Sequence, residues 1–212
     1  MMTKYEWRKA EKGLYLPKQL GVVDVPTSNY LTLEGAGNPN DALFSDQIQS
    51  LYPVAYALRM GYKKGLYGNP FEYTVYPLEG VWTTADGSRG AQLNKDALVY
   101  KIMIRQPDQV TAEQVTDAIA ATREKKDVPF LDQIRFETYT EGPSLQMIHV
   151  GPFDTEGETF AKMQAYLAEH GLTKTTTMGD YQHREVYLSD FRRVASEKRK
   201  TLLRYRLAPS AN

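Results

Sequence analysis

The chain has 212 residues, 42% hydrophobic and 25% charged, with 26 Lys and Arg balancing 26 Asp and Glu. That length carries one large core or two small ones, and a formal net charge of zero argues against a general nucleic-acid binder, which needs a positive field toward phosphate. Cysteine is absent, so disulfides, thiolate nucleophiles and cysteine metal sites are excluded.

The N-terminal stretch from Lys4 to Lys18 is polar and has no apolar core of signal-peptide type. No segment reaches about 20 continuous apolar residues, so no membrane-spanning helix is expected. Together with the missing cysteine, this points to a cytoplasmic location.

Residues 1–20 read as a polar, helix-prone arm. Tyr30–Glu34 alternates as a strand and ends in a Gly35-Ala36-Gly37 turn. Asn40 or Asp41 can cap the next helix, whose apolar positions Ile48, Leu51, Val54, Ala55 and Leu58 fall at helical spacing. Pro53 lies inside it, so a kink or a restart is expected there. Phe71–Tyr76 reads as a strand, and so does Leu98–Ile104. Thr111 and Gln114 have capping-box spacing ahead of a stripe of Val115, Ala118 and Ile119.

A segment through Ile134–Tyr139 leads to a turn at Glu141-Gly142-Pro143. Leu145–Val150 is the next strand, and Thr155 with Glu158 suggests a second capping box. Phe160, Met163, Leu167 and His170 form a helical stripe, with Gly171 as the cap beyond its end. Arg184–Leu188 and Leu202–Leu207 are the last two strands.

The order strand, turn, helix, strand, strand recurs. The expected fold is therefore α+β, built from a duplicated module. Each half is an antiparallel sheet with a helix packed on it, and the halves share a central ligand cleft. The expected divisions are an arm (1–25), a first repeat (26–105), a helical linker (106–141) and a second repeat (142–212). A cleft between repeats is the default ligand site.

Alternate residues of a strand face opposite ways. Glu185 and Tyr187 share one face of their strand, about 7 Å apart. Taken alone, a carboxylate and a phenol there read most simply as surface; in a cleft they make an acid/base and a hydrogen-bond donor. Glu79 and Trp82 flank Gly80, and Trp82 is either a core plug or a pocket wall. Tyr139 and Glu141 could reach the same cleft from the linker side. Met147 and His149 share a strand face, and a lone histidine there is more often structural. The basic run Arg192-Arg193 and Lys198-Arg199-Lys200 reads as a solvated loop. No phosphate loop, dinucleotide fingerprint, HExxH or nucleophile elbow occurs, so no cofactor and no metal is expected.

The segment Glu185–Arg193, followed by Glu197-Lys198 and Thr201, resembles the C-terminal signature of the GyrI-like small-molecule-binding family. Leu78-Glu79-Gly80-Val81-Trp82 resembles its first-half signature, and Arg135-Phe136-Glu137 and His149–Phe153 match its style. Phe191 stands where that family usually has proline. The resemblance implies a duplicated module with a central cleft for planar aromatic or cationic small molecules. It also implies a stand-alone member, without direct nucleic-acid binding. Some stand-alone members hydrolyse cyclopropanoid DNA-alkylating compounds. Carried onto this chain, Glu185 would activate water, with Glu79 as the other candidate base. Tyr187 would donate to the developing oxyanion. Trp82, Tyr139, Glu141, Met147 and His149 would line the site. A non-catalytic drug-binding protein and a protein-interaction inhibitor of the gyrase-inhibitor type remain the alternatives.

Overall fold

The computed structural model describes residues 4–209. Two short helical turns, α1 (Trp7–Ala10) and α2 (Lys12–Tyr15), form the arm. Six strands follow: β1 (Gly21–Ala36), β2 (Leu78–Thr84), β3 (Leu98–Gln106), β4 (Arg135–Val150), β5 (His183–Tyr187) and β6 (Lys200–Arg206). Three longer helices alternate with them: α3 (Ala42–Lys63), α4 (Ala112–Arg123) and α5 (Glu156–Glu169). None of the described helices is long and apolar enough to cross a membrane.

The strands close into one antiparallel barrel in the order β1-β3-β2-β5-β6-β4. Three neighbours come from each half of the chain, and two seams join them: β1 pairs with β4, and β2 with β5. The order strand, helix, strand, strand does occur twice, as β1-α3-β2-β3 and β4-α5-β5-β6.

Alternation sorts the barrel into an inner and an outer face. On the outside, Leu31, Leu33, Ile102 and Ile104 bury against Ile48, Leu51, Val54 and Leu58 of α3. Full burial of such side chains contributes about 1.5–3 kcal/mol each. α5 covers the other half through Met163 and Leu167 on Leu145, Leu203 and Tyr205. The two helices thus leave the β2–β5 seam between them.

The inner face is charged. Fully buried Arg184 places Nη1 2.8 Å from Glu79 Oε2 and Nε 2.8 Å from Glu141 Oε2. Arg204 lies 3.5 Å from the same Glu141 oxygen and donates to Gln146 Oε1 at 2.9 Å. Around Glu141 two guanidiniums and two carboxylates thus meet inside the barrel. Burial works against the Arg184 charge, but Glu141, Tyr30 and Glu79 together push its pKa up.

The arm closes one end of this interior. Gln146 donates to the Gly13 carbonyl at 2.7 Å, and Arg204 to that of Leu14, also at 2.7 Å. Glu11 accepts from Tyr5 at 2.7 Å and from Tyr76 at 2.6 Å, and pairs with Arg105.

Several expected elements differ. Phe71–Tyr76 is no barrel strand; among the described residues its ladder contact is a bridge from Tyr73 to Tyr5 of the arm. β2 begins at Leu78 instead. Pro53 sits inside an unbroken 22-residue α3. The expected turn at Glu141-Gly142-Pro143 lies within β4, where Gly142 takes φ 72° without ending the strand. β4 therefore crosses the division expected at residue 142. The Thr111 capping box is present, with both reciprocal bonds. At α5 the N-cap Thr155 makes no capping bond to the helix; its hydroxyl donates to the Pro152 carbonyl and meets His149 Nε2.

Candidate active site

The outer face of the β2–β5 seam carries Gly80 and Trp82 on one strand and His183, Glu185 and Tyr187 on the other. The register sets Gly80 opposite Glu185 and Trp82 opposite His183. Trp82 Nε1 donates to the Tyr187 hydroxyl at 3.1 Å. That hydroxyl donates to Glu185 Oε2 at 2.8 Å. His183 Nε2 lies 3.0 Å from the other carboxylate oxygen. The Glu185 side chain keeps 12% of its surface exposed, so water reaches it.

Only glycine fits at position 80 without moving its neighbours. A Cβ there would stand 2.8 Å from Trp82 Nε1 and 3.3 Å from the Tyr187 hydroxyl. Tyr100 and Phe44 pack on Trp82 from the α3 side, with centroids at 5.0 and 5.6 Å. Phe153 and Phe191 meet Tyr187 edge to face, both at 5.9 Å. Phe191, in the place of the expected proline, thus supplies an aromatic wall. Burial, then the charge of Glu185, pushes the Tyr187 pKa well up, so it stays a neutral donor.

Glu156, the first residue of α5, joins this cluster from the other helix. It is buried, and its Oε1 has no hydrogen-bond partner. Burial, then the nearby Glu185 charge, raises its pKa well above the usual carboxylate range, against a bond from Thr201.

From Tyr187 a groove of about 1010 Å³ runs outward along α3. Ile48, Tyr52, Leu78, Leu188 and Phe191 form its inner part, and Trp7 of the arm reaches it. Its rim carries Arg8, Lys64, Lys125, Lys126, Arg192 and Arg193. Asp190 is the one acid along it among the described residues, and it is already paired with Arg192 at 3.0 Å and Arg193 at 3.6 Å.

Glu185, Tyr187 and Trp82 are therefore brought together. The other expected site residues lie elsewhere. Glu79 and Glu141 face the barrel interior on Arg184. Tyr139 accepts from the Met178 amide at 3.0 Å and from Thr177 at 3.2 Å. Met147 packs beneath α5. His149 is buried between Thr159 and the 152–155 turn, joining β4 to α5.

Residues 19–207 match the GyrI-like small molecule binding domain. The chain belongs to this family. An uncharacterized conserved protein from Listeria innocua is a relative of solved structure. It is 36% identical, with a TM-score of 0.88, over 97% of this chain and 100% of that one. A hydrolase from the same organism is 35% identical, with a TM-score of 0.86 over 97% and 100% of the two chains. The C-terminal domain of EcmrR shares the GyrI-like fold alone: 14% identity, TM-score 0.52, over 93% and 99%. A comparison with curated proteins gives no match.

Proposed function

We propose that this GyrI-like protein binds flat aromatic molecules in the groove beginning at Tyr187 and adds water to a strained electrophilic ring presented to Glu185. The observation that carries this is the Trp82–Tyr187–Glu185 relay, set at the seam where the groove meets the barrel. The relative described as a hydrolase supports it.

In a cyclopropane conjugated to a dienone, water attacks the least-hindered ring carbon. A carbon–oxygen bond forms, a strained carbon–carbon bond breaks, and its electrons pass to the carbonyl oxygen as a phenolate. Glu185 takes the proton of the attacking water. Tyr187 holds Glu185 in place, since its hydroxyl hydrogen is already directed at that carboxylate. Tyr52, Tyr187 and Phe191, which line the groove, give the planar ligand stacking and apolar surface; Trp82 and Phe153 support Tyr187 from behind. Glu79 is a poorer base, because Arg184 occupies it. The cationic rim favours neutral or anionic ligands over cationic ones. The recurring strand and helix order supports a duplicated module.

The groove would also serve a binder that does no chemistry. Incubation with a cyclopropanoid and mass analysis separates the readings. A water-added product, formed faster than background and reduced about 10²–10⁴-fold by Glu185→Gln, is expected. Unchanged ligand recovered from a tight complex would leave binding alone. Undiminished turnover in Glu185→Gln would remove that residue as the base.

A further inference from the structure

We propose that Glu156 and Glu185 act as a carboxyl pair holding one proton between them, with Glu156 carrying it and delivering it to the ligand oxygen. The inference rests on the hydrolytic reading for its chemistry, but not for the proton itself.

The geometry around Glu156 is unusual for a glutamate. The residue is 7% exposed and makes no ion pair among the described residues. One of its oxygens is buried without a hydrogen-bond partner among the described residues. A buried carboxylate in that state is strongly disfavoured, whereas a carboxylic acid is tolerated. The groups around it do not supply a cation. Phe153, three residues before Glu156, meets the Tyr187 ring edge to face at 5.9 Å, and Thr201 stands opposite Tyr187 in the β5–β6 register, so the head of α5 sits over the Glu185–Tyr187 face, where the Glu185 charge acts on Glu156. His183 and Tyr187 hold the two different oxygens of Glu185. From β6 comes the neutral hydroxyl of Thr201. The turn before α5 brings Asp154, whose charge is met by Lys95 at 2.8 Å. His149 of β4 is engaged with Thr155, Thr159 and Pro152. Arg199 lies over Phe153 and donates to the Val194 carbonyl. The α5 N-terminus favours a negative charge, yet it is a weak influence beside burial and a neighbouring carboxylate.

Two carboxyls sharing a site without a cation retain one proton. Glu185 has the partners an anion needs, namely Tyr187 and His183; Glu156 has one hydroxyl and an idle oxygen. The proton therefore belongs on Glu156. During turnover Glu185 receives one proton of water as the hydroxyl bonds to the ring carbon, while Glu156 protonates the phenolate oxygen that forms as the carbon–carbon bond breaks. The sum is one water added, its hydroxyl on that carbon and its hydrogen on the phenol oxygen. Transfer from Glu185 back to Glu156 restores the pair. Tyr187 cannot fill the donor role while its hydrogen points at Glu185.

The first test needs no substrate. Carbon-13 labelling of glutamate side chains should show one carboxyl that remains protonated well above the ordinary glutamate range, and Glu156→Gln should abolish that signal. The second is thermal stability. A folded-state pKa raised above the unfolded value of about 4.3 gives stability that is complete below that pH. It is lost as pH rises through the folded pKa. Glu156→Gln removes the loss, so its melting temperature relative to wild type should climb as pH rises above the unfolded value. A flat difference, or no protonated carboxyl, overturns the shared proton. The third is the pH–rate profile. Wild type should lose activity at high pH as Glu156 ionises. Glu156→Gln should be about 10²–10⁴-fold slower and lack that alkaline limb, and Glu156→Asp should retain it. An alkaline limb unchanged in Glu156→Gln overturns the donor role even where the shared proton is seen. A wild-type protein that hydrolyses nothing overturns the donor role and the hydrolytic reading together, and the carbon-13 signal then decides the shared proton by itself.

Discussion

Replacing Arg184 by Met should destabilise the fold more than any surface change. The guanidinium is fully buried, and it contacts two carboxylates that are each 1% exposed. Its removal leaves Glu79 with no ion-pair partner among the described residues, while Glu141 keeps Arg204 at 3.5 Å. Breaking a buried pair from one side costs about 3–5 kcal/mol, because the remaining charge is uncompensated. For a chain of this size each kcal/mol moves the melting temperature by about 2–4 °C, so a fall of about 6–20 °C is expected. Urea and thermal unfolding of Arg184→Met, Glu79→Met and the double variant complete the cycle. The double variant should be more stable than the sum of the singles predicts, by about 0.5–3 kcal/mol. A loss under about 1 kcal/mol in Arg184→Met would refute the reasoning, and so would strict additivity. Either result would mean that water or rearranged side chains take over the pairing.

Two further changes separate local effects from the site. Gly80→Ala places a methyl 2.8 Å from Trp82 Nε1. The cost in stability should be about 1–3 kcal/mol, with the Trp82–Tyr187 bond lost; altered tryptophan fluorescence and weakened ligand binding would report it, and unchanged affinity would count against the relay. Thr111→Ala removes the hydroxyl that caps α4 and should cost about 0.5–2 kcal/mol in urea unfolding. It should leave ligand affinity untouched, since neither Thr111 nor Gln114 lines the groove.

Parts of this arrangement were readable in the chain itself. The alternation at 184–188 placed Glu185 and Tyr187 on one face, and the barrel keeps them there. The same rule, applied to β2, separates Glu79 from Trp82: positions an odd number apart face opposite ways. The alternation states which residues share a face, but not which face becomes the interior, and closure of the sheet decides that. Glu79 and Glu141 therefore enter the charged interior, and only pairing across 105 residues brings Arg184 to Glu79. Phe71–Tyr76 has strand composition, yet the neighbouring position in the barrel is filled by β2, and the arm takes its hydrogen bonds. Glu156 was hidden by the local pattern around Thr155. Short spacing suggested a cap, while the Thr155 hydroxyl is bound to the turn before the helix. The signal that could have exposed Glu156 is its place at the head of a helix whose apolar stripe faces the same sheet as Glu185.

The arm that closes the barrel also sets an order for folding. Leu14 accepts from Arg204 across 190 residues, and Gly13 from Gln146 across 133. Neither bond can form until most of the chain is available, and Arg204 lies on the last strand. During synthesis the first residues made would thus be among the last to find their place. Contacts this distant in sequence slow folding, because the loop must close before any interaction rewards it. The N-terminal segment would act as a latch, and unfolding that begins with its release would open the charged interior to water first.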